Sequence, residues 1–320
     1  MSVYLIRDLM AAKKEPIRAG FGKGLLMAGL KDPKIVALCA DLTGSTKMDL
    51  FANEFPERFI QVGVAEQNLV TVASGMAAMG KIPFVSSYAA FSPGRNWEQI
   101  RTTICLNKQN VKIVGSHTGL SVGPDGATHQ MLEDIALMRV LPNMIVICPA
   151  DAFEAEKATL AMAADPNPNY IRLTREATPV FTTRNTPFTI GRAEVFRNGK
   201  DISLIGTGTM TYQLLVAAEF LSKKGIDAEV VHVPTVKPLD ETTILASIRK
   251  TKRVVTAEEA QVAGGFGGAV AELLSEKEPV PVLRVGIMDR FGESGNPDEL
   301  MDHFDLTGAK IARKIMRWVE

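Results

Sequence analysis

The sequence predicts an α/β protein made of two open, mostly parallel-sheet α/β domains. Short apolar runs alternate with amphipathic stretches along the whole chain. The runs are continuously apolar, as expected of strands buried on both faces of a parallel sheet. One stretch, EATPVFTTRNTPFTI (176–190), breaks the pattern with two prolines, five threonines and no helical period. At 320 residues the chain also exceeds what most single cores organise.

In chain order, the first domain (1–175) opens with a helix over IRAGFGKGLLMAGL (17–30). Strands follow at IVALC (35–39) and FIQV (59–62), then a helix over 66–80. IPFVSS (82–87), VKIVG (111–115), MIVIC (144–148) and YIRL (170–173) read as further strands, with AFEAEKATLAMAA (152–164) as a helix. Residues 176–190 read as a linker. The alternation resumes in the second domain (191–320): strands at 202–208, 227–234, 253–259 and 280–286, and helices over 209–224, a short one from Glu241, one after the glycine cluster, and one over 307–319.

Composition narrows the function classes. Thirty-six Lys and Arg balance thirty-six Asp and Glu, so the cationic field of a non-specific nucleic-acid binder is missing. The chain has no run of eighteen apolar residues, and MSVYLIRDLMAAKKEP lacks the apolar core of a signal peptide. The three cysteines, Cys39, Cys105 and Cys148, are too few for a disulfide framework. A cytoplasmic protein that binds neither nucleic acid nor membrane is expected.

Several segments carry chemistry. GVAEQN (63–68) puts Glu66 at a strand-to-helix junction, where a carboxylate serves as a helix cap or, buried against the apolar helix that follows, as an acid with raised proton affinity. Tyr88, Phe91 and Trp97 crowd together in a chain with 6% aromatics, either as core packing or as a wall for a flat ligand. GSHTGLSVGPDGATHQ (115–130) follows a strand, at the edge where open α/β sheets bind ligands. It holds His117, Asp125 and His129, whose spacing matches no strong zinc motif. Arg18, Arg172 and Arg175 are candidates for an anionic substrate, although Arg172 alternates with apolar neighbours in YIRLTR. In the second domain, AEEAQVAGGFGGAVAE (257–272) has the glycines of a phosphate cradle without the G-x-G-x-x-G order, so tight strand–helix packing is the better reading. DRFGESGNPDEL (289–300) reads as a packing or interface turn.

ADLTGS (40–45), GVAEQN, the aromatic segment, HTGLSVGPDGATHQ, LPN and PAD within 139–151, RLTR, and DRFGESG occur in an order that resembles the C-terminal part of transketolase. The resemblance spans nearly the whole chain. No Gly-Asp-Gly is present and sixteen residues precede Ile17, so it implies one subunit of a split enzyme: the pyrimidine-binding and C-terminal domains. It further implies thiamine diphosphate as cofactor and transfer of a two-carbon ketol unit between phosphorylated sugars. The companion N-terminal subunit would mainly hold Mg2+ (or Ca2+), in an α2β2 heterotetramer, with no metal ligand here. By the same resemblance Glu66 is the acid that hydrogen-bonds the aminopyrimidine. Tyr88 and Phe91 wall its ring, His129 lies near its amino group, and Asp41 approaches the cofactor across the subunit contact. Asp125 reads a sugar hydroxyl, and Arg18, Ser45, His117 and Arg175 surround the phosphate. Ala260 departs from the histidine many relatives carry. A 1-deoxyxylulose-phosphate synthase-like subunit fits worse, since Asp-Arg-Ala-Gly is expected where SHTG (116–119) stands. A 2-oxoacid dehydrogenase β-like subunit fits worse because THQ and its preceding Asp-Gly are present. A non-catalytic partner would be expected to have lost one of Glu66, Asp125 and His129.

Overall fold

The computed structural model describes residues 2–320. In chain order the elements are β1 (Lys14–Pro16), α1 (Ile17–Lys31), β2 (Ile35–Cys39), α2 (Asp49–Glu54), β3 (Phe59–Gln61), α3 (Glu66–Ala78), β4 (Ile82–Tyr88), α4 (Trp97–Gln99), β5 (Lys112–Ser116), α5 (Asp134–Arg139), β6 (Ile145–Ile147), α6 (Ala152–Ala164) and β7 (Asn169–Leu173). There follow β8 (Ala177–Pro179), β9 (Glu194–Arg197), β10 (Ile202–Gly206), α7 (Met210–Ser222), β11 (Ala228–His232), β12 (Thr235–Lys237), α8 (Glu241–Thr251), β13 (Val254–Gln261), α9 (Phe266–Lys277), β14 (Val282–Ile287), α10 (Pro297–His303) and α11 (Gly308–Val319).

The larger sheet has seven strands in the order β12-β6-β7-β5-β4-β2-β3. All but β12 run parallel. Every residue of β2, β5 and β7 is buried, which is why these strands read as unbroken apolar runs. On one face α1 lies so close to α6 that a Cβ at Gly20 would strike the Ala152 carbonyl and one at Gly24 the Glu156 carbonyl. The smaller sheet has the order β14-β13-β10-β11-β9, parallel except for β9.

Three features lie outside the pattern read from sequence. Within 176–190, β8 pairs antiparallel with β1, so this stretch is partly a two-stranded ribbon. The helix at Glu241 is eleven residues long, capped by Asp240 accepting from Thr243 N–H. And β12, placed after β11 in the chain, leaves the second sheet and completes the first by pairing with β6. One apolar core accordingly continues from Val36, Val85 and Val146 of the first sheet to Val231 and Phe266 of the second unit. The two units pack as one body.

Candidate active site

The parallel strands of the first sheet deliver their following loops to one edge. Asp41 and Ser45 follow β2, Glu66 follows β3, Tyr88 ends β4, His117 follows β5 and Arg175 follows β7. The carboxyl edge of an open α/β sheet is where such folds bind ligands.

Glu66 is the first residue of α3, and the N-cap is Ala65 with no side-chain cap bond. The capping expectation is therefore not met. Glu66 is 2% exposed, as a buried acid should be. Its surroundings are not purely apolar, however: Arg95 Nη1 donates to Oε2 at 2.7 Å, from a side chain that is 51% exposed. Asn96 Nδ2 fixes the start of the helix by donating to the Glu66 carbonyl at 2.7 Å. Among the described residues Oε1 has no hydrogen-bond partner. The sequence reading does not single out Arg95 or Asn96. Their one signal was a guanidinium inside an aromatic segment.

Beside Glu66 stands an aromatic wall. Tyr88 and Phe91 are stacked with centroids 6.3 Å apart, and the Arg95 guanidinium lies 4.9 Å over the Phe91 ring. The His129 edge meets Phe91 at 5.4 Å and Tyr88 at 6.1 Å. All three rings are half-buried. Trp97 turns away, its indole N–H donating to the Leu137 carbonyl at 2.8 Å while its ring packs on the core.

His117 connects this wall to a cationic pocket. Its ring lies 3.8 Å from Tyr88 and its Nδ1 is 2.8 Å from Ser116 Oγ. Its backbone has φ +58, a strained conformation of the kind that gathers at functional sites. Burial, with Arg18, Arg175 and His129 adding to it, pushes the imidazole down to about 3. Arg18 Nε donates to the Arg175 carbonyl at 3.2 Å, and Arg18 Nη1 donates to the Ser45 carbonyl. Burial and the nearby Arg175 guanidinium hold Arg18 below its ordinary value. Arg175 Nη1 donates to the Val122 carbonyl at 2.9 Å and lies 3.5 Å from the exposed Asp125. Two neighbouring guanidiniums that repel each other favour an anion between them.

Not every candidate joins the cluster. Asp41 is exposed with φ +59, and its backbone N–H donates to Gln61 at 3.0 Å; its side chain makes no hydrogen bond among the described residues. Arg172 is corrected outright. It is buried, ion-paired to Asp134 at 2.9 Å and bonded to the Glu259 carbonyl at 2.7 Å, so it fastens the two units and faces no ligand. Among the described residues no group of three or more His, Cys, Asp or Glu could hold a metal, the set His117, Asp125 and His129 included. The glycine-rich start of α9 is filled by the chain itself: Glu258 accepts from Phe266 and Gly267 N–H at 2.7 Å each. Burial pushes Glu258 up to about 7. A cavity of about 230 Å3 between the units, lined by Lys14, Ser121, Thr178, Thr209 and Glu259, contains none of the clustered residues. No helix among the described residues is long and apolar enough to cross a membrane.

Comparison with known proteins gives two family matches: the pyrimidine binding domain of transketolase over residues 13–180, and the transketolase C-terminal domain over residues 191–311. A chain of Methanocaldococcus jannaschii assigned as a transketolase C-terminal section is 44% identical, over 94% of this chain and 95% of that relative. A 6-deoxy-6-sulfo-D-fructose transketolase subunit of a Clostridium species is 45% identical, over 90% of each chain. A split-gene transketolase solved as an inactive beta4 tetramer superimposes with a TM-score of 0.88 at 46% identity, covering 94% of this chain and 97% of the other.

Proposed function

The chain belongs to the transketolase family of thiamine diphosphate-dependent enzymes, and from that premise we propose that it is one subunit of a split transketolase. With a companion N-terminal subunit it transfers a two-carbon ketol unit from a ketose phosphate to an aldose phosphate. The observation that carries this reading is Glu66, buried with one oxygen unpartnered beside the half-open wall of Tyr88, Phe91 and His129. A buried acid next to a flat aromatic face fits the aminopyrimidine half of thiamine diphosphate. In this reading the companion subunit holds the diphosphate and Mg2+ (or Ca2+), in an α2β2 assembly.

Bound thiamine diphosphate supplies the carbon nucleophile and electron sink for breaking and making the carbon–carbon bond. This chain supplies the rest. Phe91 and Tyr88 hold the pyrimidine plane. Glu66 Oε1 shares a proton with a ring nitrogen, and His129, at the edge of Phe91, serves proton movement near the ring amino group. Asp41 completes the cofactor site at the contact with the companion. Arg18, Arg175, Ser45 and His117 take the anionic end of the sugar. With His117 Nδ1 engaged by Ser116, Nε2 is the nitrogen left for that anion, and at about 3 the ring stays neutral until an anion approaches. Asp125 reads a sugar hydroxyl. A sulfonate would satisfy the same guanidiniums, in keeping with the sulfosugar named for the Clostridium relative.

We place the domain limits at 1–175 and 191–320 around a linker at 176–190, and the subunit in the cytoplasm, where its buried thiols Cys39, Cys105 and Cys148 stay free. Relatives of this chain's own length that are transketolase subunits, together with SHTG at 116–119, weigh against the synthase-like and dehydrogenase-like readings. The test is turnover of a ketose phosphate by this chain alone and after mixing with its companion. The expected result is none alone and activity on mixing. Robust turnover alone, or none in the mixture, overturns the reading.

A further inference from the structure

The loop after β5 is pinned at both ends and open in the middle. At its start, Ser121 N–H donates to Glu259 Oε1 at 2.8 Å. Glu259 stands on β13 of the second unit and is 3% exposed. Its other carboxylate oxygen accepts from Thr209 Oγ1 at 3.0 Å. At the loop's far end, Gln130 Nε2 donates to the Glu293 carbonyl at 2.9 Å and to the Leu120 carbonyl at 3.1 Å. Between these anchors Pro124, Asp125, Ala127 and Thr128 are exposed.

The packing leaves no slack at the anchors. A Cβ at Gly119 would strike Glu259 Oε1, and one at Gly126 would strike Ser294 Oγ. Both glycines have positive φ, +83 and +70, where an L side chain is strained in any case. A Cβ at Gly123 would come within 2.9 Å of Pro297 Cγ. So the turn 292–297, polar and glycine-rich in sequence, lies against the loop that carries Asp125 and His129. Glu259 makes no ion pair among the described residues. A buried carboxylate is an expensive choice if only packing were needed; what it adds is a charge-assisted bond to a single backbone N–H.

We propose that Glu259 is a positioning residue, and that the second unit, through Glu259 and the turn at 292–297, sets the register of the loop 117–130 for substrate. The proposal rests on the reading that this loop faces the sugar. The register decides whether Asp125 reaches Arg175, now 3.5 Å away, and whether His129 meets the edge of Phe91. The second unit then acts through the loop's own groups, Asp125 toward the sugar and His129 at the wall, and leaves Glu66 on α3 alone.

The test uses Glu259→Gln in the full chain, reconstituted with its companion. It compares donor KM and kcat, the Kd of thiamine diphosphate, and backbone amide exchange. Loss of the charge-assisted bond should lower donor kcat/KM roughly 10- to 100-fold, mainly through KM. Amides of 117–130 should exchange faster while those of 63–68 stay unchanged, and cofactor Kd, which keeps Glu66, Tyr88 and Phe91, should rise less than donor KM. Gly292→Ala approaches from the other side, because its Cβ would strike Gln130 Oε1; it should give the same KM-weighted loss. Cofactor Kd, KM and melting temperature worsening together in both variants would make the contact merely structural and overturn the proposal, as would unchanged loop exchange. A wild-type complex without donor turnover would count against the proposed function itself, while the exchange comparison would still read the clamp.

Discussion

At the carboxyl edge of the first sheet the chain leaves its polar groups unspent, whereas at the same edge of the second sheet it uses them up. Glu66 keeps one oxygen free, Arg18 stands against Arg175 with no ion pair of its own among the described residues, and His129 is half-buried. In the second unit Glu258 is consumed by the first N–H groups of α9. His232 is consumed by Thr211 at 2.7 Å and by Glu154 of the first unit at 2.8 Å. Both edges are built from parallel strands and glycine-rich turns. A carboxyl edge becomes a site only where the chain has not answered its own donors and acceptors.

The largest effect expected from this contrast is at Glu66. Glu66→Gln in the reconstituted complex should slow turnover on the order of 10²- to 10⁴-fold. Melting temperature should barely change, because the partner left behind, Arg95, is half in solvent. Glu258→Gln should do the opposite, leaving turnover intact and altering stability. Similar losses of turnover in both variants would erase the contrast.

Arg175→Ala comes next. A charge-assisted hydrogen bond contributes about 1.5–3 kcal/mol, so kcat/KM for phosphorylated donors should fall roughly 10- to 150-fold, chiefly through KM. Uncharged donors such as erythrulose should be affected much less. Equal losses on both kinds of donor would move Arg175 to a structural role.

The smallest effect is in the pH dependence of folding. Glu258 titrates at about 7 in the fold, against an ordinary value of 4.5. Between those values the folded state holds a proton that the unfolded state has released, so the contribution is fully present below about pH 4.5 and fades as pH rises through 7. Denaturant unfolding of Glu258→Gln across pH 4–8 should show a flatter profile than wild type. Parallel profiles would mean that Glu258 is not the plug.

How much of this was legible in the sequence follows from where each signal resides. β2, β5 and β7 were legible because burial on both faces writes itself as an apolar run. α6 was legible to its ends. β12 was not: three residues, TVK, carry no period, and their destination depends on how the two units pack. The β1–β8 ribbon was hidden in a proline- and threonine-rich stretch for the same reason. Glu66 and His117 could be proposed because each follows a strand end, Tyr88 and Phe91 because aromatics cluster where β4 ends, and His129 because it lies in the loop after β5. Arg95 could not, since its reach to Glu66 depends on the turn after β4. Arg172 misled because its alternation with apolar neighbours mimics an exposed strand face, while Asp134 waits across the interior.

The contrast between the two edges is tested most directly by backbone amide exchange in the reconstituted complex, with and without thiamine diphosphate. Cofactor should slow exchange at 63–68, 86–95 and 117–129, around Glu66, the aromatic wall and His129, and should leave 258–268 unchanged. Protection at 258–268, or none at the first three segments, would contradict the assignment of the first sheet's carboxyl edge as the cofactor site.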